Sequence, residues 1–249
     1  MLVSWLIAFR RLIKLTWAIF YGIIVAKKTF TLSERAQWQQ QQASRMLDAL
    51  ETRVTITGQL PADGLIVCNH LSYLDVLIIA AQSPLVFVSK SVVIHWPIIG
   101  RLLKCAGTIL ADRRRRSSAS ETTTQMLHVI NKGIPIALFP EGTSSDGSSV
   151  LPFIPTLLQI AIDTRKTITP AAITYQAQTG DLANDVCYWG DHTFFTHLIR
   201  LAKVRALTAH LIIGQPLTLS DDRKSAARSL HREVSILYNT LRKDSIHKD

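Results

Sequence analysis

The chain contains few cysteines, and this scarcity excludes two classes of small stabilised domain. Only three occur in 249 residues, Cys68, Cys105 and Cys187, and their wide separation fits neither a disulfide framework nor a metal-binding cluster. We therefore expect reduced thiols, most of them buried in apolar segments. The sequence also lacks internal repeats, a disordered linker and the G-x-S-x-G elbow of a serine hydrolase.

Acidic residues are also scarce, with 18 Asp and Glu against 28 Lys and Arg and a formal net charge of +10. This excess indicates an anionic partner, either nucleic acid or an anionic membrane surface. Nucleic acid is disfavoured because the chain has no recognition-helix or aromatic-sheet signature. Hydrophobic residues make up 47% of the chain, and its length suits one sizeable α/β domain with an appendage.

Residues 1–26 form an almost entirely apolar segment that carries three basic residues, Arg10, Arg11 and Lys14. On a helix these three lie within one arc of roughly 100°. The arrangement predicts a helix in the membrane interface, with its basic stripe toward lipid headgroups. A single spanning helix is the alternative, but each basic residue would then cost about 3 kcal/mol. The uninterrupted apolar run, residues 15–26, is also short for a span, so a monotopic anchor is favoured.

A second helix is predicted from Ser33, which would cap its start, to Leu50. The two helices together form a predicted membrane-anchoring hairpin, residues 1–50. Residues 51–249 then form the main domain.

Beyond residue 50, short apolar segments alternate with helical patterns. The predicted strands are Arg53–Thr57, Leu65–Cys68, Val86–Ser89, Thr108–Ala111, Ile134–Phe139, Thr169–Thr174 and Ala209–Ile213. The predicted helices are Leu74–Ala81, Ile98–Leu103, Ser117–Asn131, Phe153–Thr164, His192–Leu201 and Asp222–Leu241. This alternation predicts an α/β fold with a mostly parallel central sheet flanked by helices, behind the N-terminal hairpin.

A histidine and an aspartate follow the second predicted strand, in the segment Asn69-His70-Leu71-Ser72-Tyr73-Leu74-Asp75. A histidine with a carboxylate nearby is a candidate general base with its orienting partner. Residues five apart do not share a helix face, so His70 is predicted in the turn and Asp75 on the following helix. Cys68 is interpreted as buried packing rather than as a nucleophile.

Other polar segments also follow predicted strands. They are Gly107 through Arg113 and Phe139 through Ser145, and Pro170 is expected to break the strand after them. Loops at the carboxyl ends of strands form the usual ligand crevice of an open α/β sheet. We therefore expect these segments to converge near His70.

The chain resembles the lysophosphatidic acid acyltransferase family, which is defined by four ordered blocks. The blocks read here as His70-x4-Asp75, Gly107 through Arg113, Phe139-Pro140-Glu141-Gly142-Thr143 and Ile168-Thr169-Pro170-Ala171. The resemblance covers about residues 50–215. It implies an acyltransferase domain over residues 51–249.

The resemblance implies an enzyme that moves a fatty acyl group from an acyl carrier protein or CoA thioester to the free hydroxyl of a lysolipid. The thioester is a substrate, so neither a cofactor nor a metal is needed. The amphipathic amino terminus resembles the two-helix membrane motif of small bacterial members. We therefore expect the chain at the cytoplasmic face of a bacterial inner membrane.

The resemblance also implies roles for individual residues. His70 would take the hydroxyl proton, and Asp75 would hold the imidazole tautomer. The implied substrate-binding residues are Arg113, Glu141, Gly142, Thr143, Ser144 and Pro170. Arg113 would face an anionic headgroup or the donor's phosphate, and Glu141 would orient the acceptor or the Gly142 loop. Backbone N–H groups around the turn are expected to stabilise the oxyanion.

One residue departs from the family pattern. Ser144 occupies a position where the family usually has an arginine associated with the acceptor phosphate. Members that acylate lyso-ornithine lipids look similar in this loop, so both lysophosphatidic acid and lyso-ornithine lipid remain possible acceptors. A noncatalytic lipid-binding protein is the other alternative, and it is disfavoured because His70, Asp75 and Glu141 are all present.

Overall fold

A computed structural model describes residues 2–111, 116–159, 162, 166–218 and 222–246. The described strands are β1 (Arg53–Thr57), β2 (Leu65–Cys68), β3 (Val86–Lys90), β4 (Ile109–Ala111), β5 (Ile136–Leu138), β6 (Ile168–Gln176) and β7 (Thr208–Ile213). The helices are α1 (Leu2–Val25), α2 (Leu32–Leu50), α3 (Tyr73–Gln82), α4 (Pro97–Ala106), α5 (Arg116–Asn131), α6 (Phe194–Lys203) and α7 (Arg223–Ile246). Every predicted strand is thus confirmed; β1 and β2 have the predicted bounds, and the other five differ at one or both ends.

The strands form one sheet in the order β1-β7-β6-β2-β5-β3-β4. All neighbouring strands run parallel except β6 and β7, which are antiparallel. Every residue of β2 and β5 is buried, as expected for parallel strands covered on both faces. The predicted mostly parallel α/β fold is therefore confirmed, and β2 lies at its centre between β5 and β6.

Pro170 lies inside β6, so the prediction that it breaks the strand is wrong. On one side it pairs with Val67 of β2. On the other side its carbonyl accepts the N–H of Gly214 at 2.8 Å, and regular pairing with β7 begins at Ala171. Proline has no N–H to return a hydrogen bond to Gly214, so it ends the ladder with β7 while β6 continues.

Helix α2 begins at Leu32, and its N-cap is Thr31 rather than the predicted Ser33. The Thr31 N–H donates to Glu34 Oε2 at 2.7 Å, and the Glu34 N–H donates to Thr31 Oγ1 at 3.3 Å. These two bonds form a capping box. The glutamate three residues on explains why Thr31 is preferred, and the predicted cap at Ser33 is wrong.

The predicted helix Phe153–Thr164 is confirmed at Gln159 and Ile162 and differs in its first residues. There the chain is extended through Ile154 and then forms a short 3₁₀ turn, Pro155–Leu157. The residue before a proline is disfavoured in the helical region, and this delays the turn to Pro155. Residues 160, 161 and 163–165 lie outside the described residues. A 3₁₀ turn at Ser91–His95 and a π-helical turn at Leu182–Val186 were not predicted.

Arg11 of α1 is buried against the protein, which corrects its predicted direction toward lipid headgroups, whereas Arg10 and Lys14 stay about half exposed. Glu51 lies 2.7 Å from Arg10, 3.2 Å from Arg11 and 3.4 Å from Lys14. Arg11 is buried, and its guanidinium donates to the carbonyl of Ala202 at 3.1 Å and to that of Val204. Arg11 therefore attaches α1 to the carboxyl end of α6.

Most of the large apolar side chains of α1 are exposed, whereas Ala8 and Leu15 are buried. The exposed ones are Leu2, Val3, Trp5, Leu6, Phe9, Ile13, Trp17, Phe20, Tyr21, Ile24 and Val25. We call this set the apolar face of α1. Within the described part of the chain, no helix combines the length and the apolar character needed to cross a bilayer.

Candidate active site

His70 and Asp75 meet at the carboxyl end of β2. His70 lies in the turn, and Asp75 lies in the first turn of α3, which begins at Tyr73. His70 Nδ1 is 2.8 Å from Asp75 Oδ2. The aspartate side chain is fully buried, whereas 21% of the histidine side chain is exposed. The predicted placement of the pair is confirmed.

Asp75 is surrounded by hydrogen-bond donors. The backbone N–H groups of Leu71 and Ser72 donate to Oδ2 at 2.6 and 2.9 Å, and the hydroxyl of Tyr175 donates to Oδ1. These donors stabilise the ionised carboxylate in a buried position. The carboxylate accepts a hydrogen bond from the Nδ1–H tautomer of His70, which leaves Nε2 as the basic nitrogen.

The same contacts correct the expectation that the turn supplies the oxyanion site. The N–H groups of Leu71 and Ser72 are engaged by Asp75. The N–H of His70 donates to Glu141 Oε1 at 2.8 Å. Donors held by carboxylates are not available to a developing oxyanion, so residues 70–72 do not fill that role.

The His70 ring is fixed from one side by Phe139, which follows β5. The two rings stack, with centroids 4.2 Å apart and planes at 17°. Together with the bond to Asp75, this contact sets both the plane and the rotation of the imidazole. The ring is thus held in one orientation before any substrate binds.

Glu141 links two loops from a buried position. Its Oε1 accepts the N–H of His70, and its Oε2 accepts the N–H of Leu151 at 3.1 Å. Burial raises the pKa of Glu141 to about 8, against the opposing effect of these two donors. Its described hydrogen bonds all go to backbone groups, which places Glu141 as a support for the turn that carries His70.

The loop after Glu141 contains the remaining predicted binding residues. Gly142 adopts a positive φ of 70°, a conformation that favours glycine, and Thr143 is exposed. The hydroxyl of Ser144 donates to the carbonyl of Tyr188, and the N–H of Tyr188 donates to the carbonyl of Leu71 at 2.8 Å. Tyr188 therefore joins the Ser144 loop to the His70 turn.

Two predicted binding residues lie elsewhere. Pro170 is buried within the sheet beside β2 rather than in a loop. Arg113 lies outside the described residues. The structure thus connects four of the predicted site residues, His70, Asp75, Glu141 and Ser144. Pro170 is not part of this connected set.

Sequence reasoning missed two residues that hold this set together. The side-chain amide of Asn69 bonds both backbone groups of Ile173, with Nδ2 3.1 Å from the carbonyl and Oδ1 2.8 Å from the N–H. Tyr175 reaches Asp75 from the far end of β6. The alternation of Ala171, Ile173 and Tyr175 along one strand face was the available signal. It predicts a shared face but not a contact with Asp75.

Cys68 is buried, as predicted. Burial and the nearby charge of Asp75 raise the pKa of its thiol well above the ordinary value. A thiol is reactive as its thiolate, so this environment suppresses reactivity.

The fold and the contact between His70 and Asp75 define an α/β protein with a histidine–aspartate pair at the carboxyl edge of a mostly parallel sheet. A family model described as Acyltransferase matches residues 51–174. A lyso-ornithine lipid O-acyltransferase from Pseudomonas aeruginosa is 31% identical over 78% of this chain and 75% of its own length. The chain therefore belongs to the acyltransferase family.

Other relatives carry two kinds of name. A lyso-ornithine lipid O-acyltransferase from Rhodobacter capsulatus is 34% identical over 69% of this chain, and the match spans 64% of that relative's length. A 1-acyl-sn-glycerol-3-phosphate acyltransferase from Neisseria gonorrhoeae is 30% identical over 59% of this chain and 58% of its own length. Relatives similar to this chain thus differ in the acceptor that they are named for.

A solved structure shares the fold along nearly the whole chain. It is the crystal structure of the 1-acyl-sn-glycerophosphate acyltransferase PlsC from Thermotoga maritima, with a TM-score of 0.67. The match covers 97% of this chain and 95% of that chain at 16% sequence identity. The likeness extends to the N-terminal helices and confirms the α/β fold class.

Proposed function

We propose that this chain is a membrane-associated O-acyltransferase that moves a fatty acyl group from an acyl carrier protein or CoA thioester to the free hydroxyl of a lysolipid. The observation that carries the proposal is the 2.8 Å contact between His70 Nδ1 and the buried Asp75 Oδ2. It supports a histidine whose ring is oriented by Asp75 through Nδ1, so that Nε2 is directed to accept a proton from the acceptor hydroxyl.

The proposed reaction proceeds by direct transfer. Nε2 of His70 takes the hydroxyl proton as the oxygen attacks the thioester carbonyl carbon, and Asp75 stabilises the imidazolium that forms. The tetrahedral intermediate then collapses, the carbon–sulfur bond breaks, and the thiol of CoA or of the carrier protein leaves with the proton from His70. The products are the diacylated lipid and the free thiol.

Two observations favour lyso-ornithine lipid over lysophosphatidic acid as the acceptor. Ser144 stands where the family resemblance places a phosphate-associated arginine, and its hydroxyl is used in a bond to the Tyr188 carbonyl. The relatives from R. capsulatus and P. aeruginosa are named for lyso-ornithine lipid. A site without the bidentate guanidinium recognises a phosphomonoester less well, so the amino-acid-linked lipid is the preferred substrate.

The apolar face of α1 supports attachment to a membrane. Its side chains are exposed while the basic residues beside it pair with Glu51. A contiguous exposed apolar face on a basic chain is typical of a helix that lies in the membrane interface. We place the protein at the cytoplasmic face of the bacterial inner membrane, where lysolipids and acyl thioesters are both accessible.

The experiment offers purified protein in detergent both lysophosphatidic acid and lyso-ornithine lipid, each with acyl carrier protein and CoA donors. We expect transfer to at least one lysolipid, and faster transfer to lyso-ornithine lipid. His70→Ala should lower the rate roughly 10²- to 10⁴-fold without changing the fold. His128→Ala, at an exposed position of α5, is the matched control and should leave the rate unchanged.

Three results would each contradict a part of the proposal. Folded protein that transfers no acyl group to any lysolipid would refute the acyltransferase function. Retained activity in His70→Ala would reject the histidine as the base. Transfer to lysophosphatidic acid alone would refute the acceptor preference and leave the chemistry in place.

A further inference from the structure

The carboxylate of Asp75 has two unequal oxygens. Oδ2 receives His70 and two backbone N–H groups, whereas the contact described for Oδ1 is the hydroxyl of Tyr175. The aspartate side chain is fully buried, so water does not substitute for a lost donor at Oδ1. The phenol therefore decides whether this oxygen is satisfied.

Tyr175 is rigidly placed for this contact. It lies in β6, pairs with Ala209 of β7 and is 6% exposed. Burial raises the pKa of its phenol well above the ordinary value, and the charge of Asp75 acts in the same direction. The hydroxyl therefore stays protonated and always acts as the donor toward Asp75.

We propose that Tyr175 is a positioning residue for the His70–Asp75 pair, and that its hydroxyl holds the plane of the Asp75 carboxylate so that Oδ2 faces His70 Nδ1. The inference rests on the proposed function and extends it to a residue outside the four sequence blocks. A donor on Oδ1 also withdraws negative charge from Oδ2. The phenol thereby limits how strongly Asp75 stabilises a protonated His70.

Several titratable groups face this carboxylate. They are His70, Glu141, Tyr175, Cys68 and Cys187. Burial raises the pKa of Cys187 to about 12 and that of Cys68 well above its ordinary value, so both thiols stay neutral near neutral pH. The NMR signals of the His70 ring are therefore followed directly, which distinguishes a change at the histidine from ionisation of Glu141.

The test compares Tyr175→Phe, which removes only the hydroxyl, with the wild-type protein. We expect kcat to fall roughly tenfold to a hundredfold while KM for both substrates changes little, because the base is misaligned rather than the substrate lost. The acid limb of the kcat/KM profile should move to higher pH. The titration midpoint of the His70 imidazole, followed by NMR, should rise by about 0.5 to 1 pH unit.

Tyr238→Phe is the matched control. Tyr238 is also buried, but its hydroxyl donates to the carbonyl of Gly147 and not to Asp75. Both substitutions remove a buried phenol hydroxyl, so both variants should lose stability for this general reason. A shift of the His70 midpoint is expected in Tyr175→Phe and not in the control.

A second substitution covers the case in which Tyr175→Phe does not fold. Site-specific replacement of Tyr175 by a fluorotyrosine keeps the hydroxyl and makes it a stronger donor. The His70 midpoint should then move to lower pH, opposite to the phenylalanine variant. An unchanged midpoint in both substitutions, or equal shifts in the Tyr238→Phe control, would overturn the inference.

The two proposals fail in distinguishable ways. If the wild-type protein transfers no acyl group, the function is refuted, but the NMR titration still tests the coupling of Tyr175 to His70. If transfer occurs and the histidine titration ignores Tyr175, the function stands and the positioning role is refuted.

Discussion

At the scale of single residues, the candidate site contains two carboxyl groups in contrasting surroundings. Asp75 accepts hydrogen bonds from two backbone N–H groups, the Tyr175 hydroxyl and His70, whereas Glu141 accepts two backbone N–H groups. Burial is the largest effect on Glu141, because its two backbone donors oppose it only in part. Its pKa therefore rises to about 8. The aspartate is thus suited to orient a base, and the glutamate to hold a turn.

This difference predicts how stability depends on pH. Because the pKa of Glu141 is raised from 4.5 to about 8 on folding, the folded state binds more protons than the unfolded state between these values. Its contribution to the free energy of unfolding is therefore fully present below about pH 4.5 and is lost as pH rises toward about 8. Denaturant unfolding measured across this range should show that decline. Glu141→Gln should show a flatter profile, and an equal slope in both proteins would contradict the assignment.

At the scale of elements, one buried arginine connects the N-terminal hairpin to the main domain. Arg11 donates to the carbonyls of Ala202 and Val204 at the carboxyl end of α6, where a cation also meets the negative end of the helix dipole. Glu51 neutralises the same guanidinium at 3.2 Å. The contact explains why a basic residue within an apolar helix faces the protein.

The adjacent residues Arg10 and Arg11 should therefore contribute unequally to the attachment of α1. Arg11→Ala should weaken the attachment of α1 by about 2 kcal/mol, because two carbonyls lose a charged donor. Arg10→Ala should cost no more than about 1 kcal/mol, since that side chain is 58% exposed and makes a surface ion pair. Hydrogen exchange of the α1 amides in detergent measures both effects. Equal protection in the two variants would refute the role given to Arg11.

The elements that could be predicted from sequence are those with a local cause. Apolar runs located β2 and β5, and the predicted strand Thr108–Ala111 located β4. Elements governed by distant contacts were misjudged. The direction of Arg11 depends on carbonyls of α6, and the continuation of β6 through Pro170 depends on pairing with β2.

The candidate site shows the same division. The spacing of His70 and Asp75 was sufficient to predict a turn and a helix, because both residues lie in one short segment. The contact of Tyr175 with Asp75 joins residues 100 positions apart. Side-chain patterning fixes which face a strand residue occupies but not its partner across the fold.

At the scale of the whole molecule, the apolar face of α1 and the net charge of +10 act together. We expect the apolar side chains to supply affinity for the proposed membrane interface, and the basic charge to supply long-range attraction to anionic lipids. Since α1 packs on α6 and α2 packs on α3, the helix that would meet the membrane is coupled through packed elements to the helix that carries Asp75. We expect the proposed membrane attachment and the proposed catalysis to be separable by mutation, because the contacts described for the His70 ring are with Asp75 and Phe139 and not with the apolar face of α1.

The double variant Phe9→Ser, Trp17→Ser tests this separation. Both side chains are about two-thirds exposed, at 66% and 67%, and burying each in lipid is worth about 1.5–3 kcal/mol. Binding to phosphatidylglycerol vesicles, measured by sedimentation, should weaken roughly 10²-fold or more. Ile236→Ser, at a 53% exposed position of α7, is the control and should bind as the wild type does.

The turnover of the double variant in detergent should stay close to that of the wild type, because His70 and Asp75 are untouched. Equal vesicle binding by the double variant and the control would refute α1 as the membrane-contacting element.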